Sequence, residues 1–196
     1  MTKSRHMPTT NLIREKPGGA YGTFLCQNVH DPNDVGVMKI IMHPYAGSEY
    51  TSSAERARQA SDSLTVNGRG ELEPLQTLTK NQSKSTAVIR QYQAMQQDEK
   101  GIVPDGYLHL ILMNRAPGVE LSRELFWSLG YEERARIRNA FRDAWMECVR
   151  AGVRPIWGHL FWDTASSKMW VPCSLLPIDI RGGTATEIAL FYFLAP

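Results

Sequence analysis

The chain has little of what usually announces a function. Cys26, Cys148 and Cys173 are its only cysteines, an odd number with no CxxC spacing, so free thiols in a reducing compartment are expected rather than a disulfide framework. It has no long hydrophobic run: IALFYFLA at 188–195 is eight residues, whereas a membrane span needs about 20. The opening MTKSRHMPTTN has no apolar h-region, so no secretory signal is expected. Charge of one sign is not in excess. Lys and Arg number 22 and Asp and Glu 20, a formal net charge of +2, and the basic residues form no run. Nucleic acid is therefore not an expected partner. His6, His30, His43 and His109 lack metal-ligand spacing, and no GxSxG, HExxH or Cys/His nucleophile pattern occurs. There is no internal repeat and no low-complexity segment. These absences lead to the expectation of a cytoplasmic protein with no metal site and no membrane partner.

What is present is an ordinary globular composition. The 196 residues are 42% apolar and 21% charged, which suits one domain or two small lobes around a cleft. Residues 12–16 and 22–29 read as strands around the turn PGGAYG, and HDPND at 30–34 links to the strand VGVMKIIM at 35–42. A short helix is expected within 53–64. ELEPLQTLTK at 71–80 spaces Glu71, Leu75 and Leu78 as a helix does, with Pro74 tolerable only in its first turn. STAVIRQYQAM (85–95) and YLHLILM (107–113) read as strands, with a turn at DEKG and a break at RAPGVE. The clearest helix spans 131–151, where Ile137, Phe141, Trp145 and Cys148 form one apolar stripe and Gly152 follows as a C-cap. A loop at 153–158, strands near 159–163 and 168–173, and a last strand LLPIDI complete the reading. The class is α+β in a two-lobe layout.

Several residues carry chemistry. Gly18, Gly19 and Gly22 would let backbone N–H groups approach phosphate oxygens, and the plain alternative is a hairpin turn. Lys39 has apolar neighbours on both sides in VMKI, as a lysine pointing into a cleft has. The alternative is an edge-strand lysine in solvent. Trp157, Phe161, Trp162 and Trp170 form an aromatic cluster, read either as core or as an apolar wall beside a ligand.

In this order and spacing the motifs resemble the protein-kinase-like superfamily, especially fungal kinase-like proteins near the aminoglycoside phosphotransferases. GGAYGTF, with Gly19, Tyr21 and Gly22, looks like the glycine-rich loop. VMKI resembles the lysine strand, and Glu71 is the expected helix partner of Lys39, with Glu73 the second choice. YLHLILMNRAPGVELS, including Met113, resembles the strand and hinge that hold the adenine. PIDIRG places Asp179 at the metal-binding aspartate. The resemblance covers about residues 12–182. It implies a two-lobe protein-kinase-like fold, with an antiparallel-sheet N-lobe (1–113) carrying one helix and a minimal, truncated helical C-lobe (114–196).

Two departures argue against kinase chemistry. Laid on the family's catalytic loop, AGVRPIWGHLFWD puts Arg154 at the general-base aspartate and His159 at the metal-binding asparagine. Arginine stays protonated and cannot act as a base, and imidazole is a poor ligand for a hard cation. In addition, only 17 residues follow Asp179, too few for the family's substrate platform. IALFYFLA is then expected to close the core or to form a homodimer interface.

The resulting expectation is a degenerate kinase-like fold that binds a hydrophobic small molecule, without ATP or Mg²⁺. It would catalyse a non-phosphoryl step such as a cyclisation or isomerisation in a biosynthetic pathway. Lys39, Arg154, His159 and Asp179 are its candidate catalytic residues, and Gly19, Tyr21, Gly22, Glu71, Met113, Trp157 and Trp162 its candidate ligand-binding residues. Two alternatives stand beside it. One is a regulatory pseudokinase that binds protein through the terminal apolar run or the arginine face of 131–151. The other is an atypical ATP-dependent phosphotransferase that keeps Lys39, Glu71 and Asp179.

Overall fold

The computed structural model describes residues 14–16, 19–45, 52–155, 160–171 and 175–177. The chain forms two compact units, Met1–Arg69 with Ile89–Arg115, and Gly70–Val88 with Ala116–Pro196. The class is α+β with antiparallel sheets, as expected. The division does not fall at a single point near 113. The chain enters the second unit at Gly70, returns at Ile89 and leaves again at Ala116.

The first unit is built on a five-stranded sheet. Its strands are β1 (Arg14–Lys16), β2 (Gly19–Gln27), β3 (Val35–Met42), β4 (Ile89–Gln96) and β5 (Tyr107–Asn114), in the order β1-β2-β3-β5-β4. Every pairing in it is antiparallel. β3 has the bounds its sequence pattern predicts. β2 differs: it starts at Gly19 opposite Lys16, so Gly19, Tyr21 and Gly22 are strand residues rather than turn residues. The alternation of Ala20 with its neighbours already has a period of two, and the backbone ladder absorbs the glycines.

Burial on β5 alternates cleanly. Tyr107, His109, Ile111 and Met113 face inward, and the residues between them are half-buried. The helix α1 (Ser53–Ala57) is a single capped turn: Ser52 Oγ accepts from Glu55 N, and Glu55 Oε2 accepts from Ser52 N. The β4–β5 loop is held by Gln97, whose buried amide donates to His43 O at 2.9 Å and accepts from Val103 N at 3.0 Å. Arg90 pairs with Asp34 at 2.7 Å, tying β4 to the β2–β3 turn.

The helix α2 (Val66–Lys80) starts five residues earlier than its apolar pattern suggested, because Thr65 Oγ1 accepts from Gly68 N and caps it there. Pro74 consequently sits inside the helix, not in its first turn. In the second unit, β6 (Val119–Glu120), β8 (Phe161–Asp163) and β9 (Lys168–Trp170) form a three-stranded sheet. β7 (Val153–Pro155) pairs with β10 (Leu175–Pro177), so part of the expected 153–158 loop is strand.

The helix α3 (Arg123–Ser128) is capped by Ser122 Oγ, and α4 (Tyr131–Arg150) carries the predicted buried stripe Ile137, Phe141, Trp145 and Cys148. Ile137, Phe141 and Trp145 pack with Phe126, Ala144, Trp162, Met169 and Val171 as the core of this unit, and Cys148 packs with Leu78 and Val153. Gly152 ends α4 at φ +75°, a backbone conformation open to glycine at little cost.

Segment 81–88 belongs with this unit because Glu147 holds it. The carboxylate accepts from Lys84 N and from Ser85 Oγ, each at 2.6 Å. Val171 N then donates to Ser85 O at 2.8 Å. Among the described residues, no helix is long and apolar enough to cross a membrane.

Candidate functional site

The register of the five-stranded sheet places Lys39, Tyr92 and His109 on one face. Directly paired residues of neighbouring strands share a face, and the next pair along faces the other way. Thr23, Lys39, Ile111 and Tyr92 therefore form one row across β2, β3, β5 and β4. Leu25, Val37, Met113 and Ile89 form the row on one side of it, and Tyr21, Ile41, His109 and Ala94 the row on the other.

Lys39 is 9% exposed, against Ile111 and Ile41 at 0%. The neighbouring row of Leu25, Val37 and Met113 forms an apolar floor that opens toward Leu25, which is half exposed.

At the other end of the face lies a chain of rings. His43 meets Tyr107 edge-on at 5.0 Å, Tyr107 meets His109 at 6.0 Å, and Tyr92 lies 5.7 Å from His109. Tyr92 Oη and His109 Nδ1 are 2.7 Å apart, a hydrogen bond. Burial lowers the His109 pKa below its ordinary value and raises that of Tyr92 above it. Both groups are therefore neutral at pH 7. In the tautomer with its proton on Nε2, the imidazole accepts the phenol proton at Nδ1. Burial also raises the Tyr107 pKa, partly opposed by a hydrogen bond to Thr65. His109 is 8% exposed while Tyr92, on strand β4, is 37% exposed, so the pair runs from the interior to the surface. Among the described residues, buried His43 Nδ1 has no hydrogen-bond partner.

The structure brings some of the expected residues together and separates others. Lys39, Tyr21 and Met113 share the face just described. Gly22 pairs with Ile40 and belongs to the opposite face, where a shallow apolar pocket of about 40 Å³ lies against Phe24, Ile40 and Met42. That volume is far below the ~300 Å³ and more of a metabolite site. Gly19 lies at the start of β2, opposite Lys16. Glu71 is on α2 and belongs to the second unit, whereas Lys39 belongs to the first.

The aromatic wall is divided. Trp162 pairs with Met169 and is buried in the core of the second unit, where its indole N–H donates to Glu133 Oε1 at 2.9 Å. Phe161 pairs with Trp170 and belongs to the opposite face of that small sheet. Adjacent strand residues cannot share a face, so four aromatics close in sequence do not make one wall. Arg154 is a β7 residue opposite Leu176. Trp157, His159, Asp179 and the run 188–195 lie outside the described residues.

Sequence reasoning passed over the Tyr92–His109 pair. His109 has no metal-ligand spacing to draw attention to it. The signal that was there is the strand alternation of YLHLILM, which puts Tyr107, His109, Ile111 and Met113 on the buried face. Neither protein-family models nor curated proteins give a match to this chain.

Proposed function

We propose that this chain is a degenerate kinase-like fold that binds a hydrophobic small molecule with a polar or anionic end, and that it acts on it without phosphoryl transfer. The observation that carries the reading is Lys39. It is a nearly buried cation on a central strand, beside the apolar floor of Leu25, Val37 and Met113. Apolar surface would hold the body of the ligand, and one cation would orient its polar end. The strand order β1-β2-β3-β5-β4, with helices between β3 and β4, supports the kinase-like part of the reading. In a cyclisation or isomerisation, Lys39 would stabilise developing negative charge on an oxygen. Arg154, His159 and Asp179 stay candidate catalytic residues on the sequence resemblance alone. The Tyr92–His109 pair is an additional proton-handling group on the Lys39 face.

Two probes test this together. Anilinonaphthalene sulfonate is a flat apolar molecule with an anionic end, and ATP with Mg²⁺ is the ligand of the rejected chemistry. Saturable, one-to-one binding of the sulfonate, weakened about tenfold or more by Lys39→Met, is expected, with no calorimetric signal for ATP. Mg²⁺-dependent micromolar ATP binding that disappears in Lys39→Met would return the protein to the phosphotransferases. Sulfonate binding indifferent to Lys39→Met would remove Lys39 from the site.

A further inference from the structure

The second unit carries a surface that the ligand-binding reading does not use. On α4, Arg134, Arg138 and Arg142 follow at intervals of four residues. Side chains four apart on a helix lie about 6 Å from one another on the same flank. This flank borders the buried stripe. Arg134 lies 5.3 Å from the ring centre of Trp127, and Arg138 lies 6.0 Å from that of Phe126. Trp127, on α3, is nevertheless 40% exposed, and Tyr131, at the start of α4, is 69% exposed. An arginine ladder thus begins beside two exposed aromatic rings.

The carboxylates of α4 do little to neutralise this ladder. Glu133 is engaged by Arg136 and by the Trp162 indole. Glu147 is engaged by Lys84 and Ser85. Asp143 contacts Arg142 only at 3.4 Å, and both side chains are well exposed, which makes a weak pair. Glu132 lies roughly 80–160° and Asp143 roughly 100–180° round the helix from the three arginines. Arginine, tryptophan and tyrosine are also the residue types that most often dominate binding energy at protein interfaces.

We propose that this flank is a docking surface for an acidic segment of a partner protein. The segment would place carboxylates at helical spacing against Arg138 and Arg142 and an apolar side chain against Trp127 and Tyr131, while Arg134, half-buried and donating to Leu129 O, holds Trp127 in place. Charge complementarity selects the acid. The exposed rings, together with a whole-chain net charge of only +2, favour a short peptide over a long polyanion such as nucleic acid, which a broader basic field would attract.

The test uses the full chain and a fluorescein-labelled helical peptide with four glutamates at intervals of four and one terminal leucine. Anisotropy should report binding to the wild type that weakens as NaCl rises from about 50 to about 300 mM. The double charge reversal R138E/R142E should reduce affinity about tenfold or more, and Trp127→Ala should do the same with its charge intact. Both variants change surface side chains, and far-UV circular dichroism checks their fold. If the double reversal unfolds, Arg142→Gln with Trp127→Ala provides the same comparison.

Absence of peptide binding by the wild type, or binding unchanged in the folded variants, overturns the proposal. Equal binding of a single-stranded oligonucleotide or of anionic phosphatidylserine vesicles overturns it in favour of a general polyanion surface. Salt-sensitive self-association that blocks the peptide overturns it in favour of a second copy of this chain.

Discussion

Replacing Glu147 by glutamine should loosen the second unit. The carboxylate accepts two hydrogen bonds at 2.6 Å from Lys84 N and Ser85 Oγ, and so anchors a segment that β9 reaches through Val171. Hydrogen bonds to a charged acceptor contribute about 1.5–3 kcal/mol each when dry. Glu147 is only partly buried, so water recovers part of this, and glutamine keeps one acceptor oxygen. The expected loss is about 2 kcal/mol, or roughly 4–8 °C in Tm for a chain of this size.

The pH dependence has a definite sign. Burial raises the Glu147 pKa, but the hydrogen bonds from Ser85, the Lys84 N–H and Ser83 outweigh it and hold the pKa below its ordinary value of 4.5. A depressed carboxylate contributes stability that is present above its unfolded pKa and lost as pH falls through the folded one. Urea unfolding followed by tryptophan fluorescence, for wild type and Glu147→Gln, should show a constant gap above about pH 5. Below pH 4.5 the gap should narrow, and it should be smallest once Glu147 is protonated in the folded protein as well. Equal midpoints at pH 7, or a gap that survives unchanged at the lowest pH, would refute the assignment.

Other outcomes follow from the same geometry. Gly118 has φ +86°, and a Cβ there would lie 2.2 Å from Trp162 O, so Gly118→Ala should cost more than the ~1 kcal/mol of an ordinary glycine replacement and lower the thermal midpoint of the second unit. Gln97→Leu leaves His43 O and Val103 N without partners and should cost about 2–4 kcal/mol in chemical denaturation. A Gln97→Leu variant as stable as wild type would mean that water replaces both bonds. His109 titrates below its ordinary value of 6.5 because it is buried, so the first unit should lose stability as pH falls from 6.5 through the folded pKa. His109→Phe should flatten that part of the profile, and an unchanged profile would place the titration elsewhere. Tyr92→Phe should shift the His109 ring resonances in NMR, because it removes the hydrogen bond at Nδ1.

The elements legible in the sequence are those whose burial follows one period over many residues. The α4 stripe Ile137, Phe141, Trp145 and Cys148 and the alternation along β5 stand out because each buries one face along its length. Short elements were harder to read. β7 is a three-residue strand in an expected loop, and its pairing with β10 follows no pattern of its own, whereas β10 lies within the expected strand LLPIDI. α2 began early because a single threonine hydroxyl found a donor at Gly68, an event with no periodic signature. The aromatics at 157–170 read as one cluster because they are close in sequence, but strand alternation sends Trp162 to the core and Phe161 to the other face.

By itself the sequence determined the α+β class, the strand carrying Lys39, the long C-terminal-half helix and its arginine flank. These follow from local propensity and burial period, which a chain carries wherever it folds. Only the tertiary structure decided which side chains meet. The Tyr92–His109 bond joins residues 17 apart in the chain, the Glu147 bond to Lys84 joins residues 63 apart, and the Lys39 row runs across four strands. Such contacts depend on strand register and on loop closure over long separations, and no local pattern encodes which distant partner arrives.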